Sequence, residues 1–133
     1  MDQKLQQLKA YAQEIYDLSS CMQVLEWDQM TYMPPKAAQA RGRQIATISR
    51  ILHQKKTDPK LGQLLEDLSS IEDELPAESD ELALIREMKR EYERLTRVPG
   101  DFVAQFSEHC TKKVQAWSEA RAQDRFEVVI PYL

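Results

Sequence analysis

Few side chains in this sequence have the types and spacing that catalysis or metal binding requires. The two histidines, His53 and His109, are far apart, and neither follows a glutamate by three residues, so the Glu-x-x-His pair of di-iron bundles is missing. The H-E-x-x-H helix of zinc peptidases is missing as well. His109 is next to Cys110, but adjacent residues of a helix point about 100° apart and do not chelate easily. The 133 residues therefore predict no catalytic residue and no metal ligand of their own.

Charged side chains are segregated along the chain. Residues 61–85 contain eight carboxylates and neither Lys nor Arg. Paired carboxylates act as acid and base only when their environments differ, and a run around Pro76 is typical of a solvated surface. Residues 36–60 contain seven bases and one acid, Asp58, which suits an anionic ligand or an acidic neighbouring segment. Nucleic acid is a less favoured partner, because no aromatic residue is interleaved and the net charge is −4.

The stretch "LEWDQMTYMPP", residues 25–35, places a tryptophan, an acid, an amide and a tyrosine before two prolines. In one interpretation this turn is scaffold: Trp27 plugs the end of a helix and its polar neighbours satisfy backbone groups. In the other, the turn lines a substrate groove, and an arginine of the next helix meets a carboxylate through two hydrogen bonds. The residues leave both interpretations open. The substrate-groove candidates are Asp28, Gln29, Tyr32, Arg41 and Arg43.

Apolar residues that recur every three or four positions predict an all-α fold. We expect helices over about 4–28, 36–53, 79–97 and 101–123, and a shorter third helix that starts at an Asp58 cap. Proline and glycine separate these segments, and "FEVVIPYL" at the end is β-rich for a few residues. The prediction is one helical region over residues 1–133, an antiparallel bundle of about five helices of unequal length. The expected apolar side of the fifth helix carries Phe102, Phe106, Cys110, Val114 and Trp117.

The composition and the N-terminus predict a cytoplasmic protein. The composition is 42% hydrophobic and 30% charged, a normal balance for a folded domain. The first residues, "MDQKLQQLKAY", lack the apolar core of a signal peptide. No apolar run reaches the roughly 20 residues that a membrane span needs, so no membrane partner is expected. Cys21 and Cys110 fit a reducing compartment as isolated, small apolar side chains.

Ordered motifs over nearly all of the chain resemble the N-terminal region of the carboxypeptidase Taq family. The first is W-D-Q-x-T-Y-M-P-P at 27–35, followed by A-x-x-R-x-x-Q-x-A-T-x-S at 38–49 and T-D-P-x-L-G-x-L-L at 57–65. Further on, a tyrosine and an arginine precede V-P at 98–99, and a tryptophan helix leads to A-R-x-x-x-x-F and P-Y-L.

The resemblance implies an all-α metallocarboxypeptidase with a long groove, which releases amino acids from the C-termini of peptides with zinc or cobalt. It also implies a homodimer and a peptide substrate for the full-length enzyme. The family's H-E-x-x-H helix and the further glutamate downstream align with nothing in these 133 residues. We therefore expect this chain to form a groove wall or scaffold, with no cofactor of its own and no activity alone.

An alternative is a stand-alone helical module that binds a partner or itself. Helices separated from a larger fold leave apolar faces without partners, which predicts a homo-oligomer. A further alternative, a nucleic-acid binder through the basic helix, has less support. The residues expected to contribute to self-association are Leu5, Leu8, Ile15, Trp117 and the terminal "VVIPYL".

Overall fold

The computed structural model describes residues 2–133, except for the side chains of Asp2, Ala104, Ser107 and Thr111. The described residues form five α-helices and no β-strand, which confirms the predicted all-α fold. Short 3₁₀ turns cover Pro35–Ala37, Glu72–Glu74, Phe126–Val128 and Ile130–Tyr132, so the β-rich C-terminal stretch forms turns instead of a strand. The helices are α1 (Asp2–Thr31), α2 (Ala38–Lys56), α3 (Pro59–Ser69), α4 (Asp80–Thr96) and α5 (Gly100–Ala122).

The start of α3 is set by local chemistry, as expected from the sequence. Asp58 is the N-cap: its Oδ1 accepts a hydrogen bond from the Lys60 amide at 2.9 Å. Pro59 occupies the first helical position, where its missing N–H costs nothing. Ser79 is the N-cap of α4, and its hydroxyl accepts a hydrogen bond from the Leu82 amide at 3.3 Å.

The end of α1 lies three residues beyond its expected position at Asp28. The helix continues to Thr31 because a proline restricts only the residue directly before it. The amides of Tyr32 and Met33 both donate to the Asp28 carbonyl, at 3.0 and 2.9 Å. Pro34 then ends the helical run, and the chain turns into α2.

Helices α1 and α2 form an antiparallel hairpin. Three pairs along its length run in opposite sequence order: Glu14 forms an ion pair with Lys55, the Met22 sulfur lies 3.4 Å from the Ser49 hydroxyl, and the Leu25 carbonyl accepts from Arg41. Helices α3 and α4 form a second antiparallel pair on this hairpin. The antiparallel arrangement predicted for the bundle is therefore present in both pairs.

The main core lies where the start of α1 and the end of α2 meet α3 and α4. Leucines on one face of α3 supply much of it, because Leu61, Leu64, Leu65 and Leu68 recur with helical spacing and are all buried. They pack with residues from each of the other three helices, namely Leu8, Ile15, Leu52, Ile85 and Met88. Leu8 and Ile15, which we expected to contribute to self-association, are thus core residues.

Helix α5 packs against α2, but its expected apolar side is largely exposed. Phe102, Phe106 and Trp117 retain 56%, 57% and 49% of their accessible surface. The buried side of α5 instead carries Ala116 and Ala120, because the C-terminal turns fold back and place Val129 on these small residues.

Helix α5 ends in a Schellman-type motif. The Arg125 amide donates to the Ala120 carbonyl at 2.9 Å, and Asp124 occupies the left-handed region with φ of 52°. This reversal directs the last residues back along α5. Within residues 2–133, no helix has both the length and the apolar composition that crossing a bilayer requires.

Candidate functional site

Arg41 connects the end of α1 to the start of α2. Its Nη2 donates to Asp28 Oδ2 at 2.5 Å, and its Nη1 donates to the Leu25 carbonyl at 2.6 Å. Its Nε donates to Gln44 Oε1 at 3.1 Å, which holds the guanidinium plane from the α2 side. The Arg41 side chain is only 14% exposed. A charge-assisted hydrogen bond at a partly desolvated site is stronger than a typical surface ion pair.

The guanidinium of Arg41 donates one hydrogen bond to a carboxylate and one to a backbone carbonyl. Arg41 therefore makes a single hydrogen bond with Asp28, and the contact of an arginine with a carboxylate through two hydrogen bonds stays a prediction. The Leu25 carbonyl lies six residues before the end of α1 at Thr31. This geometry holds α1 and α2 together. Trp27, which the scaffold interpretation expected to plug the end of α1, is instead 59% exposed.

The other groove candidates lie near this contact but differ in exposure. Tyr32 is 77% exposed, and its ring lies 5.7 Å from the ring of Trp27, centroid to centroid. Gln29 is half-buried on the last turn of α1, and Arg43 is exposed on α2. Tyr32 and Arg43 are thus accessible to a ligand, whereas Asp28 and Arg41 are engaged with each other.

An open groove runs between α1 and α2 beside the Arg41 contact. Its walls are mostly apolar, and the Thr47 hydroxyl, the Gln44 amide and the exposed guanidinium of Arg43 are their polar groups. The lining residues are Leu25, Ala40, Arg43, Gln44, Thr47 and Ile48.

The charge segregation seen in the sequence is resolved in part by ion pairs between helices. Asp67 of α3 lies 2.9 Å from Lys4, and Glu81 of α4 lies 2.9 Å from Lys9. The lysine contacts hold the pKa of both carboxyl groups below its usual range. Some acids expected to be simply solvated therefore dock α3 and α4 on α1.

Three of the five Lys and Arg residues of α2 are paired in the same way. Besides Arg41, Lys55 pairs with Glu14 and Lys56 pairs with Glu91 of α4, at 2.9 Å between Nζ and Oε1. The acidic neighbouring segments that the basic helix was expected to attract are thus partly provided by the fold itself.

A second polar contact connects α1 to the turn between α2 and α3. The Tyr11 hydroxyl donates to Asp58 Oδ2 at 3.0 Å, while Asp58 Oδ1 caps α3. The Lys60 amide is the main cause that lowers the pKa of Asp58. Burial, with Asp58 beside the hydroxyl, raises the pKa of Tyr11. Sequence reasoning identified the cap but missed Tyr11, because no local signal links residues 47 positions apart.

The described residues do not provide a metal site. No group of three or more His, Cys, Asp or Glu side chains within them is arranged to hold an ion. The ring of His109 lies with Nε2 at 3.2 Å from the Tyr132 carbonyl, which connects α5 to the last turn. His53 faces Gly100, with 3.8 Å between His53 Cδ2 and the position that a Cβ would occupy there.

Comparison with known proteins shows the family to which this chain belongs. The profile of the carboxypeptidase Taq (M32) metallopeptidase family matches residues 7–133. The chain belongs to this family. It is 33% identical over 131 residues to thermostable carboxypeptidase 1 of Thermus thermophilus, in an alignment that covers 96% of this chain and 25% of that protein. The motif-based resemblance to the family is therefore confirmed.

Solved structures of other proteins contain the same helical arrangement. The M32 carboxypeptidase of Deinococcus radiodurans superposes with a TM-score of 0.75 at 33% identity, over 98% of this chain and 26% of that one. The crystal structure of BsuCP gives a TM-score of 0.90 at 22% identity, over 98% and 26% of the two chains. This M32 chain thus spans about a quarter of the length of the relatives it matches.

Proposed function

We propose that this M32 chain supplies the N-terminal helical scaffold of a metal-dependent carboxypeptidase that releases C-terminal amino acids from peptides. The observation that carries the proposal is that nearly the whole chain adopts the helical arrangement of about one quarter of an M32 enzyme. The remaining three quarters of such an enzyme would provide the catalytic groups. In that setting the hairpin of α1 and α2 forms one wall of the peptide groove.

The side chains of this wall have two roles in the proposal. Arg41, with Asp28 and the Leu25 carbonyl, positions α1 against α2. Arg43 and Tyr32, both exposed, contact the peptide, and the half-buried Gln29 is the third candidate contact. Positioning a peptide and excluding water from it are contributions that a wall makes without any acid or base of its own.

The metal belongs to the part of the enzyme that this chain does not supply. The family is a metallopeptidase family, and zinc or cobalt is our proposal for the full-length enzyme. The residues described here do not fit a metal, so no step of the reaction is assigned to them. We also propose a cytoplasmic location, which the isolated Cys21 and Cys110 favour, and a homo-oligomeric enzyme, which the family resemblance favours.

A chimera tests the scaffold role. This chain replaces the matching quarter of the Thermus thermophilus carboxypeptidase, and the chimera is assayed with added zinc or cobalt on a blocked dipeptide. We expect turnover by the chimera, and background rates from the Thermus enzyme without that quarter and from this chain alone. A folded chimera without activity would contradict the scaffold role, and turnover by the chain alone would contradict its proposed inactivity.

The alternative function is a stand-alone module that associates with itself or another protein. The exposed Phe102 and Phe106, whose rings stack at 6.0 Å between centroids, favour it, since solvated aromatic pairs often mark contact surfaces. Sedimentation of the chain over a range of concentrations separates the two functions. A dimer that persists at low concentration and loses stability on Phe106→Ser would support the stand-alone module.

A further inference from the structure

The outer face of α1 beyond Ile15 contains no charged residue. The positions on this face recur with the helical period, with Gln23 and Val24 side by side. They lie opposite Glu14, Met22 and Leu25, which contact α2. Tyr16, Val24 and Trp27 on it are 68%, 63% and 59% exposed. Exposed faces of surface helices normally carry charged residues, and 30% of this chain is charged. The face consists of Tyr16, Ser20, Gln23, Val24, Trp27 and Thr31.

The end of the helix extends this uncharged surface. Met30 is 71% exposed, and Tyr32 packs its ring at a tilt against Trp27. Tyrosine, tryptophan and methionine are enriched in protein contact surfaces, from which charged side chains are depleted. Tyr32 only borders this surface. We call the uncharged surface of α1 the outer stripe, and it consists of Tyr16, Ser20, Gln23, Val24, Trp27, Met30 and Thr31.

We propose that the outer stripe is the surface on which the remaining three quarters of an M32 enzyme packs against this N-terminal unit. The inference rests on the function proposed above. About a quarter of the BsuCP and Deinococcus chains corresponds to this unit, so in each of them a further three quarters of the polypeptide accompanies the same helices. The occupant is thus a continuation of the enzyme's own chain, with an apolar surface complementary to the outer stripe.

The size of the outer stripe favours this occupant over a second copy of the chain. Aromatic side chains bury about 150–250 Å² each. The exposed parts of the large side chains of the outer stripe, Tyr16, Val24, Trp27 and Met30, therefore amount to roughly 500 Å². A stable interface between separate proteins needs about 800 Å² from each partner. A contact within one polypeptide is less demanding, because association costs no translational or rotational freedom there.

The test compares one substitution in two settings, the chain alone and the chimera with the Thermus enzyme. Val24→Lys places a charge at the middle of the outer stripe. In the chain alone we expect an unchanged or slightly higher Tm, since Val24 is exposed and lysine favours a helix more than valine does. In the chimera we expect the Tm to fall by several degrees and activity to fall with it, because the lysine is then desolvated.

Gln6→Lys is the matched control, an exposed polar position earlier on the same helix. It should leave both proteins unchanged. Footprinting of Trp27 by oxidation adds a readout that requires no variant: its reactivity should be high in the chain alone and low in the chimera.

The outcomes separate the two proposals. An active chimera in which Val24→Lys has no effect and Trp27 stays reactive overturns the inference while leaving the scaffold role standing. A folded chimera without activity overturns the scaffold role, and the inference falls with it. A dimer of the chain alone that dissociates on Val24→Lys would mean that a second copy occupies the outer stripe, which also overturns the inference.

Discussion

Arg41 Nη2 lies 2.5 Å from Asp28 Oδ2, and the same guanidinium reaches the Leu25 carbonyl at 2.6 Å. One side chain of α2 thus holds both a carboxylate and the backbone near the C-terminal end of α1. Lysine has a single nitrogen and cannot donate in these two directions from a planar fork. The contact gives the junction of the two helices a geometry that depends on arginine.

We expect Arg41→Lys to lower the free energy of unfolding by about 1–2 kcal/mol, because hydrogen bonds to charged groups contribute roughly 1.5–3 kcal/mol and lysine keeps only some of them. Urea denaturation monitored by circular dichroism measures the loss. Arg43→Lys, two positions away and exposed, is the control and should change stability by less than about 0.5 kcal/mol. Equal effects of the two substitutions would show that the Arg41 contact adds nothing.

We expect Asp58→Ala to destabilise the chain by about 1–2 kcal/mol, since it removes the N-cap of α3 and the acceptor of Tyr11 together. Tyr11→Phe should cost about 0.5–1.5 kcal/mol, the usual contribution of one hydrogen bond. In the double variant the two losses should not add, because both remove the same bond. Full additivity, measured by urea denaturation, would contradict a shared contact.

The lowered pKa of Asp58 predicts how the stability difference between the wild type and Asp58→Ala varies with pH. The Lys60 amide, followed by the Tyr11 hydroxyl, lowers the pKa of Asp58 in the folded state. Its contribution is therefore complete above the unfolded pKa of about 3.9 and is lost as the pH falls through the lower folded value. The stability difference between the wild type and Asp58→Ala should be constant from pH 5 to 7 and narrow below about pH 4. A constant difference down to pH 2 would contradict this.

At high pH the Tyr11 hydroxyl should act in the opposite direction. Burial and Asp58 raise the pKa of Tyr11, so its contribution is complete below about pH 10 and is lost as the pH rises through the folded value. The wild type should therefore lose more stability than Tyr11→Phe between pH 9 and 11. Thermal denaturation of both proteins across this range provides the measurement.

We expect Gly62→Ala to destabilise the chain by about 1–3 kcal/mol, the usual cost of overpacking. A Cβ at residue 62 would overlap the hydroxyl and ring of Tyr92, which packs against the main core. The helix preference for alanine, about 1 kcal/mol, acts in the other direction and does not compensate for this overlap. Tyr92→Leu in the same chain should relieve the overlap, so the Gly62→Ala penalty should shrink in that background.

Gly100→Ala is the matched control for this glycine. The nearest atom to a Cβ at residue 100 is His53 Cδ2 at 3.8 Å, an ordinary contact. We therefore expect Gly100→Ala to leave stability unchanged or to raise it by up to about 1 kcal/mol. Destabilisation of similar size at both glycines would show that the overlap with Tyr92 is not the cause.

We expect Asp124→Gly to stabilise the chain by about 0.5–1 kcal/mol. Asp124 has φ of 52°, and glycine adopts this left-handed conformation without the steric cost of a Cβ. Asp124→Val should destabilise, because branching at Cβ makes the conformation more costly. Gln123→Gly is the control: the neighbouring residue has φ of −106°, so glycine there gains nothing. Thermal denaturation of the three variants checks the order.

Most helix boundaries in this protein follow from signals within four residues of each end. Asp58 with Pro59, Ser79, and Pro99 with Gly100 act through hydrogen bonds and dihedral limits that reach no further. The buried leucines of α3 likewise recur with the helical period, which is a pattern within a few residues. The motifs indicated the family for the same reason, since they are patterns of residues close in sequence.

Such short-range signals do not predict which side chains of different helices contact each other. The sequence offered Arg41 and Arg43 as equal candidates, and only the crossing of α2 over the end of α1 turns one toward Asp28 and leaves the other exposed. The spacing of the aromatic residues of α5 predicted that they would face the core. The buried residues of α5 are instead Ala116 and Ala120, because the chain reverses at Asp124 and Val129 packs on them. Side-chain pairing across helices depends on their relative positions in space, which short-range hydrogen bonding and periodicity leave free.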